Sequence, residues 1–306
     1  MAEETARMKI NILGVPDSAS AYCVGVELAP AALRDAGLRE ALQAAGWRVH
    51  DRGDLTTRLW VPDLANRYAQ NIGAGSRSMA ELAGVAAGML CESERLLVIG
   101  GSCVVAVGLC AAMARVGQRP RIIYIDRHLD LNTPHSTAEG SLSWMGMAHA
   151  LDLDGAADEL ANATGQAPIL APRDLVYLGV DVTQATDWEL VQVDALELKI
   201  VHQASLVDDP ALAARTARES LEPGPFIVHL DVDVLDFLDA PLAENVNGRN
   251  SGPTIGQLQF ALTELLRQPD CWAISIGQLV PAHAAADPTA IPRLIASLMT
   301  PMVEQV

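Results

Sequence analysis

The 306-residue chain carries a formal net charge of −17, and only 4% of its residues are aromatic. Nucleic-acid recognition needs a basic surface and base stacking needs aromatic rings, so the composition argues against both. No apolar stretch approaches the roughly 18 residues of a membrane span, and the acidic start, MAEETARMKI, lacks the pattern of a signal peptide. Five cysteines without a CxxC pair are typical of reduced thiols. These features predict a cytoplasmic protein that acts on a small molecule, without nucleic-acid or membrane partners.

Apolar segments of strand length alternate along the chain with Ala- and Leu-rich segments of helical periodicity. Strands are predicted at 8–14, 46–50, 95–100, 121–126, 174–180, 198–202, 226–231 and 272–277. Helices are predicted at 29–45, 76–92, 103–116, 142–153, 184–196, 208–222, 254–267 and 288–300. This alternation predicts a parallel sheet with helices on both faces and a site beyond the carboxyl ends of the strands. Because no repeat or long linker interrupts the pattern, residues 1–306 are predicted to form one α/β domain.

Two of the predicted strands end in groups of metal-ligand residues. The fourth strand leads into Asp126, His128 and Asp130, and the seventh leads into Asp231 and Asp233. Alternate residues of extended backbone share a face, so each group is predicted to leave its strand on one side. Carboxylates and imidazole suit Mn²⁺, Fe²⁺ or Zn²⁺, and four converging carboxylates would repel one another without a cation. A lone group of this kind is commonly a solvated strand end or a helix cap, whereas two groups predict a metal site.

The order of these motifs resembles the arginase/agmatinase (ureohydrolase) family along nearly the whole chain. The matching stretches are GVELAPAALRDAGL (25–38), DRGDL (51–55), VIGGSC (98–103), YIDRHLDLNTPHSTAEGSL (124–142) and HLDVDVLD (229–236). The resemblance implies a three-layer α/β/α sandwich on an eight-stranded, mostly parallel sheet. It also implies a homo-oligomer, either a trimer or a hexamer, that hydrolyses guanidino C–N bonds at a two-manganese centre.

By their positions in these motifs, the resemblance implies that Asp126 and Asp231 bridge two metal ions. His128 and Asp233 would complete the ligands of one ion, and Asp130 would bind the other. The cations would lower the pKa of bound water, and the resulting hydroxide would attack the planar guanidino carbon. Asp130 would hydrogen-bond the hydroxide and help pass a proton to the leaving amine.

The chain departs from the family pattern at one metal-ligand position. The family's GGDH motif reads GGSC here, so Cys103 stands where a histidine ligates one ion. A thiolate is softer than imidazole and favours Zn²⁺ over Mn²⁺, whereas a neutral thiol leaves that position one ligand short. The alternative is that Cys103 only fills the start of the next helix. We therefore expect one or two ions per chain, with Mn²⁺ first and Zn²⁺ or Fe²⁺ as alternatives.

Further departures fall at positions that contact the substrate in the family. Asn132 matches a residue that contacts the amino-acid end of the substrate, but Glu139 stands where arginases have a serine for the substrate carboxylate. Ser143 replaces a histidine that shuttles protons, and His135 in the same loop is either its substitute or a solvated side chain. Gln278 replaces the glutamate that pairs with the guanidinium, and an amide cannot offset a buried positive charge.

The N-omega-hydroxy-L-arginine hydrolase branch of the family also has a cysteine at the first ligand position and no shuttle histidine, and this chain resembles it in both respects. N-hydroxylation makes a guanidine less basic, which agrees with Gln278. The chain is therefore predicted to be a metal-dependent hydrolase of a linear C–N bond in a guanidino or ureido small molecule, such as N-omega-hydroxy-arginine. The alternatives are a catalytically degenerate arginase-fold protein with a ligand-binding or assembly role, and a one-zinc amide hydrolase by analogy with deacetylases.

Overall fold

Eight strands lie in the part of the chain that the computed structural model describes, residues 9–91, 94–246 and 250–299. They are β1 (Lys9–Gly14), β2 (Arg48–Asp54), β3 (Glu94–Ile99), β4 (Ile122–Ile125), β5 (Leu175–Val180), β6 (Lys199–His202), β7 (Phe226–Asp231) and β8 (Cys271–Gly277). Each lies where a strand is predicted, and β2 continues past its predicted end at position 50. Positions 8, 92 and 300, which fall in predicted elements, and the acidic start at 1–8 lie outside the described residues.

The strands form one sheet in the order β2-β1-β3-β8-β7-β4-β5-β6, and all of its strand pairings are parallel. Because all the strands run in one direction, their carboxyl ends share one edge of the sheet. The strands β3, β8, β7 and β4 are consecutive neighbours at the centre of this order. The sheet therefore brings together the ends of the strands that carry the predicted metal ligands.

Helices connect the strands, and most of them lie where a helix is predicted, although their bounds differ and no helix was predicted over 158–161 or 203–207. The described residues form α1 (Ala29–Asp35), α2 (Leu38–Ala44), α3 (Ile72–Ala87), α4 (Val105–Arg115), α5 (Gly146–Ala150), α6 (Asp158–Ala161), α7 (Asp187–Leu196), α8 (Gln203–Asp208), α9 (Pro210–Ser220), α10 (Ile255–Leu266) and α11 (Ala290–Leu298). The prediction of one helix over 29–45 is wrong, because Gly37 has a φ of +87° and separates α1 from α2. Pro210 begins α9, because a helix tolerates proline in its first turn, and α8 precedes it as a separate helix.

Two apolar cores lie on opposite faces of the sheet. Ile123 and Val228 face one core, which packs against α1, α2 and α8 to α11. Their neighbours Ile122 and Ile227 face the other core, which packs against α3 to α7. The predicted three-layer α/β/α sandwich is therefore confirmed, and the sheet proves to be parallel throughout. Within the described ranges, every helix is too short or too polar to cross a membrane.

A two-glycine turn directs the chain from β3 towards α4. Gly100 and Gly101 have φ values of +93° and +81°, a backbone conformation that residues other than glycine rarely adopt. A Cβ atom on Gly100 would also lie 2.6 Å from ring carbons of Pro30. This tight turn places Cys103 at the carboxyl edge of the sheet, where the predicted ligands gather.

Candidate metal centre

The two acidic motifs lie side by side at the carboxyl edge of the sheet. Strand β4 ends directly before Asp126, and β7 ends at Asp231. The two strands pair in parallel register, with Ile125 opposite Leu230. Asp126 and Asp231, the residues that follow this pair, therefore lie at matching positions along the two chains. Both carboxylates are buried.

Turns bring in the remaining ligands of the two motifs. His128, Asp130 and Asp233 lie beyond the ends of their strands, so the prediction that strand alternation alone places them is wrong. Asp126 Oδ1 accepts a hydrogen bond from the backbone N–H of His128 at 2.7 Å. Asp231 Oδ1 accepts one from the backbone N–H of Asp233 at 2.8 Å. In each motif the first carboxylate stabilises the turn that holds the next ligand, His128 or Asp233, beyond the end of the strand.

Three groups of buried side chains are arranged as metal ligands among the described residues. Within each group, the ligand atoms all lie within 4.8 Å of one another. The groups are Asp126, His128 and Asp233; Cys103, Asp126 and Asp130; and Cys103, His229 and Asp231. Asp126 and Cys103 each belong to two groups and Asp231 belongs to one, and the bridging positions of Asp126 and Asp231 stay predictions. The third group contains His229, which the sequence analysis did not identify.

The first group holds an ion pair between imidazole and carboxylate. His128 Nδ1 lies 3.0 Å from Asp233 Oδ2 and 3.4 Å from Asp126 Oδ1. Burial opposes the charge on His128, but Asp233 and Asp126 hold its pKa well above the ordinary value. Burial would raise the pKa of Asp233, but the charge and hydrogen bond of His128 hold it below its ordinary value. Burial, followed by the charge of Asp233, raises the pKa of Asp126 to about 7.

In the two ligand groups that contain Cys103, carboxylates accept hydrogen bonds from a thiol and from a hydroxyl. Cys103 Sγ donates a hydrogen bond to Asp231 Oδ2 at 2.7 Å, and the Tyr124 hydroxyl donates one to Asp130 Oδ2 at 2.5 Å. Burial, followed by the charges of Asp231 and Asp130, raises the pKa of the Cys103 thiol well above its ordinary value. Burial and neighbouring carboxylates also raise the pKa values of Asp130 and Asp231. A cation bound here would therefore displace protons.

Two buried carboxylate oxygens show that the cluster suits a cation. Within the described ranges, Asp126 Oδ2 and Asp233 Oδ1 have no hydrogen-bond partner. A buried carboxylate oxygen without a donor is costly, and a metal ion would supply the missing positive charge. Carboxylates and imidazole are ligands for Mn²⁺, Fe²⁺ and Zn²⁺, and Cys103 adds a soft donor. The residues present therefore fit the predicted metal chemistry.

Arg127, which stands between two predicted ligands in sequence, joins the two ligand turns. Its side chain is fully buried. The guanidinium donates hydrogen bonds to the carbonyl oxygens of Asp233 at 2.6 Å, Leu235 at 3.2 Å and Ser251 at 2.9 Å. The sequence analysis did not identify this residue, although an arginine between two predicted metal ligands, Asp126 and His128, is a signal for such a contact. Arg127 fixes the β4 turn relative to the β7 turn.

Two of the residues predicted to contact substrate are bonded within the protein. Asn132 is buried, and its Oδ1 accepts hydrogen bonds from Ser136 Oγ at 3.0 Å and Thr186 Oγ1 at 3.2 Å. Ser143 is buried, with its Oγ 2.7 Å from Ser141 Oγ. These contacts fix both side chains, and their predicted contacts with substrate stay predictions.

The two predicted loop residues, His135 and Glu139, belong to none of the three ligand groups. His135 is exposed and lines a cavity of about 240 Å³ with Asp154 and Trp188. Glu139 is half-buried, and its backbone N–H donates to Thr137 Oγ1 at 3.2 Å. The exposure of His135 agrees with the alternative of a solvated side chain, and the catalytic role of His135 and the substrate role of Glu139 stay predictions.

Gln278 has a constrained backbone and a free side-chain acceptor. Its φ is +60°, which is uncommon outside glycine and is found mostly where the surrounding structure enforces it. Its backbone N–H donates to Gly101 O at 3.0 Å, and its carbonyl accepts from Glu244 N at 2.8 Å. Gln278 Oε1 is buried and has no hydrogen-bond partner among the described residues. Gln278 follows β8 at the carboxyl edge of the sheet, and its unpaired amide oxygen is suited to accept a hydrogen bond from an N–H of a bound molecule.

An aromatic side chain borders the His128 side of the cluster. The Trp144 ring is half-buried, and its centroid lies 5.1 Å from that of the His128 imidazole. Asn245 Nδ2 lies 3.4 Å from His128 Nε2. These neighbours restrict the movement of the imidazole.

The sheet, its helical layers and the buried ligand groups define an α/β/α protein with a candidate metal centre at the carboxyl edge of the sheet. The arginase family model matches residues 8–302. Pig Arginase-1 (Sus scrofa) is 30% identical over 245 residues, covering 76% of this chain and 73% of that protein. The chain belongs to the arginase family.

Other comparisons agree with this assignment. Mouse Arginase-1 (Mus musculus) is 33% identical over 172 residues, which are 56% of this chain and 53% of the mouse protein. The match thus spans about half the length of that relative. The native structure of arginase from Bacillus caldovelox superposes with a TM-score of 0.85 at 22% identity, covering 98% of this chain and 99% of that one. At this identity the superposition shows a shared fold.

Proposed function

We propose that the protein is a metal-dependent hydrolase that cleaves a linear C–N bond of a guanidino or ureido small molecule, with N-omega-hydroxy-L-arginine as the first candidate substrate. The carrying observation is the buried group of Asp126, His128 and Asp233, in which two carboxylate oxygens lack donors within the described ranges. The family assignment supports the reaction class. We further propose a single domain and a cytoplasmic homo-oligomer that uses Mn²⁺ first, with Zn²⁺ or Fe²⁺ as alternatives.

The chain's own residues can move the proton that this hydrolysis requires. Bound metal ions would supply Lewis acidity and lower the pKa of a water molecule. The Tyr124 hydroxyl holds one carboxylate oxygen of Asp130 and so orients the other oxygen. Asp130 accepts the proton of the attacking water as the C–O bond forms. It then delivers that proton to the leaving nitrogen as the C–N bond breaks, so the products are an amine and a urea-type compound.

Gln278 would select a neutral planar group over a guanidinium. Its buried Oε1 accepts an N–H but carries no negative charge, and desolvating a cation beside a neutral amide is costly. N-hydroxylation lowers the basicity of a guanidine, so a larger fraction of the hydroxylated substrate is uncharged at neutral pH. The same reasoning applies to ureido compounds.

The structure also offers an observation in favour of a catalytically degenerate protein with a binding or assembly role. Ser143, at the shuttle position, is bonded to Ser141, and the alternative shuttle His135 is exposed. Of the two predicted catalytic residues, Asp130 belongs to a ligand group and His135 does not. Turnover measurements decide between the two functions.

The test is an assay of the purified protein loaded with Mn²⁺, Zn²⁺ or Fe²⁺, the last under anaerobic conditions. N-omega-hydroxy-L-arginine, L-arginine, agmatine and a ureido analogue are compared by the release of hydroxyurea, urea or amine. We expect the hydroxylated substrate to have the highest kcat/KM, and His128→Ala to lose more than about a thousandfold in kcat/KM. Gln278→Glu should shift the ratio of kcat/KM towards L-arginine by about tenfold to a hundredfold, because a charge-assisted hydrogen bond forms.

Asp181→Asn is the matched control, because Asp181 follows β5 at the same edge and belongs to none of the three ligand groups. It should retain activity. Absence of turnover with every substrate and metal, in protein that binds metal, would favour the degenerate protein.

A further inference from the structure

His229 lies directly beneath the candidate metal centre on the central strand β7. It precedes Asp231 by two residues, so the two side chains leave the strand on the same face. The imidazole is fully buried and stacks on Tyr124 with ring centroids 4.7 Å apart. Tyr124 and Ser275 are its register partners on the two neighbouring strands. His229 is therefore held on both sides by the sheet.

The two nitrogens of this imidazole have different surroundings. His229 Nδ1 lies 2.8 Å from Ser275 Oγ, whereas Nε2 has no hydrogen-bond partner in the described part of the chain. When Nδ1 carries the proton and donates it to Ser275, Nε2 presents a lone pair. A hydrogen bond of this kind is the usual means by which a protein orients a metal-binding histidine.

Glycine at position 277 leaves room for the ring. A Cβ atom on Gly277 would lie 3.2 Å from His229 Cε1 and 3.5 Å from its Nε2. Any larger residue at 277 would thus press against the edge of the imidazole that faces away from Ser275. The absence of a side chain at 277 therefore leaves this edge of the buried ring uncrowded.

His229 shares its surroundings with two further ligand atoms. A ring nitrogen of His229, the Sγ of Cys103 and a carboxylate oxygen of Asp231 lie within 4.8 Å of one another, and all three residues are buried. Ligand atoms about 2.0–2.3 Å from a tetrahedral zinc ion are about 3.5 Å apart, so small side-chain adjustments would suffice for coordination. The proton that Cys103 Sγ donates to Asp231 Oδ2, 2.7 Å away, would leave on metal binding.

We propose that His229, Cys103 and Asp231 form a sulfur, nitrogen and oxygen site that prefers Zn²⁺ to Mn²⁺. In this site His229 supplies, from strand β7, the imidazole that is missing at position 103, and Ser275 orients it. The inference rests on the proposed metal-dependent function. It specifies which ion occupies the part of the candidate metal centre that contains Cys103. The harder group of Asp126, His128 and Asp233 stays suited to Mn²⁺.

Metal binding without substrate tests the proposal. Protein stripped by chelator is loaded with one equivalent of Zn²⁺, and X-ray absorption counts its sulfur and imidazole ligands; Co²⁺ loading monitors the thiolate by its charge-transfer absorption. We expect one sulfur and one imidazole ligand in the wild-type protein. His229→Gln should weaken Zn²⁺ binding by more than about tenfold in chelator competition, and Ser275→Ala by about tenfold.

His149→Gln is the matched control for removing a buried histidine. His149 is also fully buried, but its Nδ1 bonds Met145 O at 2.6 Å and its Nε2 accepts from Ala157 N at 2.9 Å. This variant should keep the affinity for Zn²⁺ whatever its thermal stability. If His229→Gln does not fold, Ser275→Ala carries the test.

Two results would overturn the proposal. One is a zinc spectrum without sulfur, and the other is Zn²⁺ affinity within about twofold of wild type in the folded His229→Gln or Ser275→Ala variant. Because these readouts use no substrate, they are separate from the hydrolase assay. Sulfur and imidazole ligation without turnover would support this site and reject the proposed function. Turnover without such ligation would support the proposed function and reject this site.

Discussion

Replacing Asp126 by asparagine should stabilise the protein in the absence of metal while weakening its response to metal. Asparagine keeps the oxygen that accepts the hydrogen bond from the His128 backbone, but it is uncharged at every pH. Asp126 is buried beside the charge of Asp233, and these two causes raise its pKa to about 7. Its ionisation therefore costs the metal-free fold free energy that asparagine does not cost.

The magnitude follows from the difference between the folded and unfolded pKa values. Against an unfolded value of about 3.9, a folded pKa of about 7 for Asp126 corresponds to about 4 kcal/mol. Between these two values the folded state holds a proton that the unfolded state has released. The contribution of Asp126 to the stability of the metal-free wild type should therefore fall as the pH rises from about 4 to about 7, and this contribution levels off above.

Thermal unfolding at a series of pH values, with and without metal, measures this effect. In chelator, Asp126→Asn should match the wild type near pH 4 and exceed its Tm by roughly 8 °C at pH 8, at about 2 °C per kcal/mol for a chain of this size. With saturating Mn²⁺ the order should reverse, because the variant lacks a ligand. The higher Tm in chelator distinguishes this outcome from ordinary damage to a buried site.

Asp181→Asn serves as the control for losing a carboxylate at the same edge of the sheet. Burial opposes the ionisation of Asp181, but hydrogen bonds from Gln184 and Thr183 hold its pKa below the ordinary value. Its ionised form therefore stabilises the fold above about pH 4, and the variant should gain nothing at pH 8. A Tm difference between Asp126→Asn and wild type that stays constant from pH 4 to 8 would refute the electrostatic reasoning.

Three further substitutions test individual contacts. Arg127→Met should lower the free energy of unfolding by about 3–5 kcal/mol in urea titrations, because it leaves buried carbonyl oxygens without donors; an unchanged urea midpoint would contradict the role of Arg127 as a tether. Cys103→His should tighten Mn²⁺ binding relative to Zn²⁺ by about tenfold or more in competition titrations, since imidazole is the harder ligand; an unchanged ratio would exclude position 103 from the metal site. Gly100→Ala should lower the Tm by several degrees, because its Cβ would meet Pro30 at 2.6 Å and its φ is +93°. Gly117→Ala, at a φ of +75° with no atom within 4 Å of the added Cβ, is the matched control and should cost less.

The fold could be predicted from the sequence because its strands are apolar, short and separated by helical periodicity. The order of the strands could not be derived in this way, since it depends on contacts between residues far apart in the chain. Gly37 shows a second limit, because it divides the region 29–45, whose apolar spacing reads as continuous. The left-handed conformation of this glycine, rather than the apolar spacing, decides where the helix ends.

The candidate site was predicted in its residue types more accurately than in its geometry. The DxHxD and DxD patterns identify the carboxylates, but turns place His128 and Asp233 rather than strand alternation. The alternation of β7 does extend backwards from Asp231 to His229, so this buried histidine was within reach of the same reasoning. One of the two internal bonds of Asn132 comes from Thr186, which is distant in sequence, and no local pattern indicates that bond.

The tether at Arg127 has a consequence for the rate at which the protein exchanges its ions. Hydrogen bonds from the Arg127 guanidinium to Asp233, Leu235 and Ser251 hold the β4 and β7 turns together, and Trp144 borders His128 with ring centroids 5.1 Å apart. An ion can leave only if ligands from both turns separate, which requires these buried contacts to break together. The metal content of the isolated protein would then record which ions were available while the chain folded, rather than the composition of the buffer in which it was later studied.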